Sequence, residues 1–474
     1  MAIDRSNANH EQAVSFPGDG SRGLLTFLTV SSLAGFCLLA WWLFSIKVEI
    51  ASDDAYYFSR ALTRFSILDY SPHFPGYPAF VALGRLSLQI WSDPVSALIN
   101  MTVLASLALP IVAAAIAWRW TGSPLASIVC FALVLAQPIL PLVALSGLSD
   151  SVGMLFLLCF FAALPDTEKA RKHDVSSLVW CLIAGIALGV SGAARPSYGV
   201  ILIGAFLPVA LWSLRSAAAV VCGVLVVGIP AMLVLISLEG WNYLHEGWRF
   251  FNGHMFEWGN TVFAGSERSG WTDFLSSNPA FAAITLLYLV LVGYCLTLGE
   301  FDRRQVSLPV AILVAVIWTI FFQNPENLRH LLPLLTLSAV LIAVRLHRAT
   351  GVVSASITLI FLSVALVLPF FTTAISVRAP LAGVIDTINA IEEDVVVLAH
   401  RDVSFLRSHL DRARVYDLAF PANADAALAA SNAAVVSITT QQAGACVEEL
   451  FFAGRVFGEP GLWICTTRAT QGLR

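Results

Sequence analysis

Two adjacent carboxylates in the run Ala51-Ser-Asp-Asp-Ala-Tyr-Tyr-Phe-Ser-Arg60 offer the first candidate chemistry. Like charges side by side raise the proton affinity of one partner, which suits Asp53 or Asp54 to take a proton from a hydroxyl. The same pair has the chemistry of a metal ligand. Ser-Asp-Asp ahead of Ala-Tyr-Tyr-Phe is equally a good helix N-cap, so both readings stand. Asp150, in Ser146-Gly-Leu-Ser-Asp-Ser151, is either a second acid converging on that pair or the cap of the helix that follows.

Cationic candidates follow. Arg195, in Ala193-Ala-Arg-Pro-Ser197, reads as an anion-binding group or as an arginine snorkelling to a membrane surface. Arg329 and His330, in Gln323-Asn-Pro-Glu-Asn-Leu-Arg-His-Leu-Leu-Pro333, suit a phosphate, because a guanidinium grips one bidentately. The bland alternative is a surface ion pair of Arg329 with Glu326, worth little. His73 and Tyr77, in Ser71-Pro-His-Phe-Pro-Gly-Tyr-Pro78, and Glu326 in the later loop are candidates for substrate contact. The stretch Trp241–Asp273 is rich in Trp, Phe, His and Asn, as in a sugar or lipid contact or an interfacial aromatic belt.

These polar stretches are carried by a very apolar chain. Of its 474 residues 58% are hydrophobic and 12% charged, with a mean hydropathy of +0.78. Soluble domains carry about a quarter charged residues. The composition therefore excludes a cytosolic enzyme, a nucleic-acid binder and a disordered scaffold. Apolar runs long enough for membrane helices recur at Leu24–Ile46, Pro94–Trp118, Leu125–Leu145, Asp150–Leu164, Ser176–Val190, Ser197–Leu214, Ala217–Leu238, Ala280–Leu298, Ser307–Phe322, Leu331–Ala343 and Val352–Phe371. This predicts a polytopic α-helical membrane protein of about eleven spans. The first run is too long for a signal-peptide core and reads as an uncleaved anchor. Gly76–Trp91 is amphipathic and is expected to lie in the interface.

Lys and Arg crowd into short loops on one side, which puts the N-terminus inside and, with an odd number of spans, the C-terminus outside. Residues 1–22 are then a cytoplasmic tail and 23–377 the transmembrane part, with outward loops 47–93 and 239–279. All the candidate residues above fall on the outward side. After residue 377 the sequence changes character. Pro380–Glu393 is amphipathic, Val395–Ala399 is strand-like, and helical and strand-like pieces alternate through Ser404–Leu410, Val415–Ala419, Ala422–Ala430, Ala434–Thr439, Gly444–Phe452 and Leu462–Thr466. That alternation predicts a small extracytoplasmic α/β domain over 378–474. No GxGxxG or P-loop follows any of these strands. Cys446 and Cys465 are the two of eight cysteines outside the apolar runs, and an oxidising compartment makes them a disulfide candidate.

The order of these motifs resembles that of the GT-C superfamily of integral-membrane glycosyltransferases: an acid pair after span one, His-x-Pro with Tyr-Pro, an acid after span three, Arg-Pro after span five, and a late Glu-Asn-Leu-Arg-His-Leu-Leu-Pro. Within it the chain looks most like the protein-mannosyltransferase and aminoarabinose-transferase branch of bacterial inner membranes. The resemblance implies transfer of a sugar from a polyprenyl-phosphate donor to a lipid, glycan or protein acceptor at the periplasmic face, with inversion. By position it implies Asp53 as the catalytic base, Asp54 beside it, Asp150 as a second acid, and Arg329, helped by Arg195 and His330, as the holder of the donor phosphate. His73 stands where many members have His-Pro-Pro, but here the run is His-Phe-Pro-Gly-Tyr-Pro. The family's metal requirement varies by branch, so a divalent metal is allowed and not implied. Pro110, Pro138 and Pro141 are candidates for shaping a prenyl groove.

A transporter or lipid flippase is the main alternative. Such proteins place their sites near the bilayer midplane, often between internal repeats, and neither feature stands out here. A non-catalytic envelope scaffold is a third reading; it would not need the acid pair.

Overall fold

The computed structural model describes residues 19–165, 175–258, 260–264, 270–346, 350–373, 375, 377–420, 422, 425, 433–442 and 446–466. The helices, in order, are α1 (Asp19–Ser45), α2 (Asp53–Thr63), α3 (Pro78–Ser87), α4 (Pro94–Thr121), α5 (Pro124–Leu135), α6 (Leu140–Leu145), α7 (Asp150–Ala163) and α8 (Val175–Ala194). There follow α9 (Gly199–Trp212), α10 (Leu214–Glu239), α11 (Asn242–Asn252), α12 (Trp271–Ser277), α13 (Pro279–Thr297), α14 (Arg303–Phe322), α15 (Leu332–Arg345) and α16 (Thr350–Thr373). The tail adds α17 (Pro380–Asn389) and α18 (Val403–His409). Among the described residues eight helices are long and apolar enough to cross a membrane, and three shorter apolar helices, at Pro124–Leu135, Asp150–Ala163 and Pro196–Trp212, accompany them. The polytopic helical fold expected from hydropathy is therefore present.

One expected span is broken. Leu125–Leu145 divides into α5 and α6, because Pro138 and Pro141 lack the N–H a continuous helix needs. The most buried long helix is the one through α15, whose apolar residues from Leu332 to Val344 almost all pack inside. Elsewhere in the bundle α10 and α8 approach so closely that a Cβ on Gly185 would collide with the Val220 carbonyl and one on Gly223 with the Leu182 carbonyl. Small residues at such crossings let backbones meet where hydrophobic driving force is absent.

The tail is a five-stranded sheet in the order β2-β1-β3-β5-β4, with β1 (Val395–Ala399), β2 (Ala413–Asp417), β3 (Ala434–Thr439), β4 (Glu448–Phe452) and β5 (Leu462–Thr466). Strand β1 runs parallel to both β2 and β3, while β5 is antiparallel to β3 and β4. All five residues of β1 are buried, as a central parallel strand covered on both faces requires. Gly444–Phe452, helical by the alternation of the sequence, instead yields strand β4. Its pairing with β5 overrides local preference, and Cys446 is joined to Cys465 of β5, with 5.3 Å between the Cα atoms. Ala422–Ala430 lies almost wholly outside the described residues.

The disulfide closes a loop with a sequence separation of 19. Replacing both cysteines by serine is expected to cost the tail about 3 kcal/mol, by chain entropy. Limited proteolysis of the full chain against temperature reads this, and an unmoved midpoint would contradict it.

Ion pairs and hydrogen bonds at Glu49 and Arg455 help fasten the tail to the helical part. Glu49 accepts hydrogen bonds from the Arg378 Nε (2.8 Å) and the Ala379 N–H (2.7 Å). Arg455, 1% exposed, holds Glu459 and donates to the Lys47 carbonyl at 3.1 Å.

Candidate active site

Helix α2 opens at the acid pair. The Ser52 hydroxyl caps it by accepting from the Ala55 N–H at 3.3 Å, and two carboxylates in the first turn suit the positive end of the helix. Successive residues of an α-helix are rotated by about 100°, so the pair cannot face one way. Asp53 turns to the tail, where its carboxylate accepts from the backbone N–H groups of Ser404 (3.2 Å) and Phe405 (2.7 Å). Asp54 turns to the bundle.

There Asp54 meets residues from three other elements. The Arg329 Nη2 donates to its Oδ2 at 3.2 Å, and the His73 Nδ1 lies 3.8 Å from its Oδ1. Arg329 stands in a single turn of 3-10 helix, Leu328–Leu331, leading into α15. Its Nε reaches to 4.0 Å from Asp150, the first residue of α7. Arg195, just past the end of α8, completes the set at 3.0 Å from the other oxygen of Asp150 and 3.3 Å from the Ser149 hydroxyl. Asp54, Asp150, Arg195, Arg329, His73 and Tyr77 therefore converge, two carboxylates against two guanidiniums. All of them sit at helix ends or in loops, at the end of the bundle that carries the tail.

The two acids differ in access. Asp150 is fully buried, whereas Asp54 keeps 40% of its side-chain surface exposed. Enclosure alone would raise the Asp54 carboxyl, but His73, Arg329 and Arg195 outweigh it and hold it below the ordinary carboxylate range. Burial lowers His73, and its Nε2 lies 3.0 Å from the Tyr77 hydroxyl. The Asp150–Arg195 pair is a buried ion pair. Removing one partner leaves the other charge uncompensated, so Asp150→Asn is expected to cost about 3–5 kcal/mol of stability. Thermal unfolding in detergent measures this; a wild-type midpoint would show that Arg195 has another counter-ion.

Asp54, Arg195, Arg329, His330 and His73 line a cavity of about 900 Å³. Its wall is aromatic. The His73 ring stacks on Phe250 at 6.1 Å, Phe250 stacks on His254 at 6.1 Å, and Trp258 meets Phe250 edge-on at 5.1 Å. These residues come from α11 and the π-helical turn Gly253–Glu257 that extends it. Part of the aromatic stretch, for which the sequence leaves sugar or lipid contact and a membrane belt both open, thus lines the cavity. At Pro75 and Pro196 the cavity adjoins a nearly all-apolar groove of about 450 Å³ between α8, α9 and α10. Leu188, Gly192, Ile203, Phe206, Val224 and Gly228 line it; Pro110, Pro138 and Pro141 do not.

Glu326 does not pair with Arg329 here; it lines a separate, smaller cavity beneath the tail. Tyr57 and Tyr198 join the site without standing out as candidates in the sequence, since single tyrosines carry no distinguishing signal, whereas Phe250 and His254 belong to the aromatic stretch Trp241–Asp273. Among the described residues no three His, Cys, Asp or Glu side chains gather as metal ligands, and the carboxylates of Asp54 and Asp150 face guanidiniums instead.

No protein-family model and no curated protein matches the sequence. Solved structures do match the fold. ArnT from Cupriavidus metallidurans bound to undecaprenyl phosphate superposes with a TM-score of 0.54 at 13% identity, over 95% of this chain and 99% of that one. Its apo state gives 0.51 at 12% with the same coverage. The archaeal oligosaccharyltransferase AglB from Archaeoglobus fulgidus, in complex with an inhibitory peptide and a dolichol-phosphate, gives 0.51 at 12% over 87% and 70%. ArnT and AglB are GT-C superfamily members. At these identities the likeness is one of fold, and the fold of this chain is that of the GT-C membrane proteins, a polytopic helical bundle with a small C-terminal domain.

Proposed function

We propose that the protein is a glycosyltransferase that moves a sugar from a polyprenyl-phosphate donor to a hydroxyl of an envelope glycan, lipid or protein at the periplasmic face of a bacterial inner membrane. The observation that carries this reading is a carboxylate and two guanidiniums facing one cavity that adjoins an apolar groove. Asp54 is the base, because of the acid pair it alone lines the cavity. Its carboxylate takes the proton of the acceptor hydroxyl as that oxygen attacks the anomeric carbon. The bond from that carbon to the phosphate oxygen breaks, and its electron pair leaves with polyprenyl phosphate. Attack opposite the leaving group inverts the anomeric centre.

Arg329 and Arg195 stabilise the charge that develops on the leaving phosphate. Both side chains line the cavity, where their guanidiniums can meet an incoming oxyanion. Asp150, buried behind them, holds both guanidiniums in place without reaching the cavity. The prenyl chain lies in the groove of α8, α9 and α10, consistent with the undecaprenyl and dolichol phosphates carried by the ArnT and AglB structures.

The test is mass spectrometry of polyprenyl-phosphate lipids and envelope glycans in a deletion strain, with and without the restored gene. One sugar is expected to vanish from the envelope while its lipid-linked donor accumulates. An unchanged set of envelope sugars would refute the transferase.

A further inference from the structure

Asp53 lines no part of the cavity, yet it is among the most heavily engaged side chains at that end of the molecule. While its carboxylate caps the start of α18, the Asp402 carboxylate returns the contact by accepting from the Asp53 N–H at 2.9 Å. Each helix start is thus capped by an acid from the other, across 349 residues of sequence. Asp402 takes a left-handed conformation (φ 60°) to do so. Beside the clasp the Tyr57 hydroxyl, pushed up to about 12 by burial and therefore always a donor, gives a 2.6 Å hydrogen bond to the Ser404 hydroxyl. Tyr56 packs edge-on against Phe405 at 5.4 Å.

We propose that this reciprocal clasp between α2 and α18 sets the position of the Asp54 carboxylate, which makes Asp53 a docking residue, Asp402 a positioning residue and the tail a working part of the reaction. The proposal rests on the reading of Asp54 as the base. At its far end α2 receives hydrogen bonds from Arg85 to the Ala61 and Leu62 carbonyls (3.1 Å each); near its start the remaining contacts are apolar, through Ala55 and Phe58, and apolar contacts are non-directional. The clasp supplies directional bonds at the turn that carries Asp54. A side-chain tip lies about 5–6 Å from a helix axis, so a rotation of roughly 10° moves Asp54 by about 1 Å. Displacements of that size cost up to about a hundredfold in rate.

The charged and titratable groups facing Asp54 are His73, Arg329, Arg195, Tyr57, Tyr77 and Asp402, with Asp53 beside it; those facing Asp402 are Arg401, Asp53 and Asp54. If Asp54 swings away from Arg329, its affinity for a proton rises toward the ordinary value. The experiment uses the full chain in lipid vesicles. The donor is the polyprenyl-phosphate lipid fraction that accumulates in the deletion strain, and the acceptor is that strain's envelope. Asp402→Gly keeps the left-handed backbone and removes the acceptor; Asp402→Asn keeps both. Fastening through Glu49 and Arg455 leaves the tail docked in either.

Asp402→Gly is expected to lower kcat by about ten- to a hundredfold with little change in KM for the donor, and to move the acid limb of the pH–rate profile upward. Asp402→Asn should stay within about threefold of wild type, a rescue that a mere loss of packing would not show. If Asp402→Gly matches Asp402→Asn in both kcat and acid limb while Asp54→Asn is inactive, the clasp does not position the base. An active Asp54→Asn removes the base reading itself and the proposal with it.

Discussion

Asp54→Asn is expected to lower transfer by about a thousandfold, near 4 kcal/mol of transition-state stabilisation, within the range typical of proton transfer to a positioned base. Asparagine nearly matches the shape and still accepts the 3.2 Å hydrogen bond from Arg329, so protein level and fold should hold while the proton acceptor is lost. The pH dependence follows from the neighbours. Arg329, Arg195 and His73 hold Asp54 below its ordinary 3.8, so the ionised, active form persists under mildly acidic conditions. The sign for stability is that of a depressed carboxylate. The pairing with Arg329 is fully present above the unfolded value of 3.8 and is lost as pH falls through the lower folded value. A pH–rate profile with an acid limb near neutrality would contradict this.

Arg329→Gln is the second large effect. Among the described residues it removes the one cation that lies within 4.0 Å of both acids, at 3.2 Å from Asp54 and 4.0 Å from Asp150. Loss of a donor that stabilises developing charge costs about 10²–10³ in kcat. The acid limb should also move up, because Asp54 loses a nearby positive charge. Arg329→Lys should recover only part of the rate: an ammonium keeps the charge but lacks the guanidinium fork that can serve two oxygens at once. Steady-state rates and the pH profile of the two variants check this, and a Lys variant equal to wild type would reduce Arg329 to a point charge.

Much of this was legible in the sequence for a physical reason. Ionisable groups are costly in a membrane protein and accumulate where they are used. Asp53, Asp54, Asp150, Arg195 and Arg329 stood out against an apolar background and were placed on one side by loop charge alone; the structure gathers them at one end. Hydropathy located the helical runs because backbone in lipid must satisfy itself internally. The division of labour within the acid pair was not legible. Which of two successive helical residues faces a cavity depends on what packs around the helix, and Asp53 finds its partners 351 and 352 residues away at Ser404 and Phe405. Asp402 carried no signal for the same reason. Strand β4 was missed because its state is set by pairing with β5 and by the Cys446–Cys465 bond, not by its own residues.

The central claim is that Asp54, not its neighbour, takes the acceptor's proton in a lipid-linked sugar transfer. The most direct measurement complements the deletion strain with Asp53→Asn or Asp54→Asn at matched protein levels and quantifies the envelope sugar and its polyprenyl-phosphate donor by mass spectrometry. The expected result is that Asp53→Asn, whose amide oxygen keeps the 2.7 Å contact with the Phe405 N–H while giving up the 3.2 Å one with Ser404, restores the sugar, while Asp54→Asn leaves the donor accumulated. Restoration by Asp54→Asn, or failure of Asp53→Asn alone, would contradict the account.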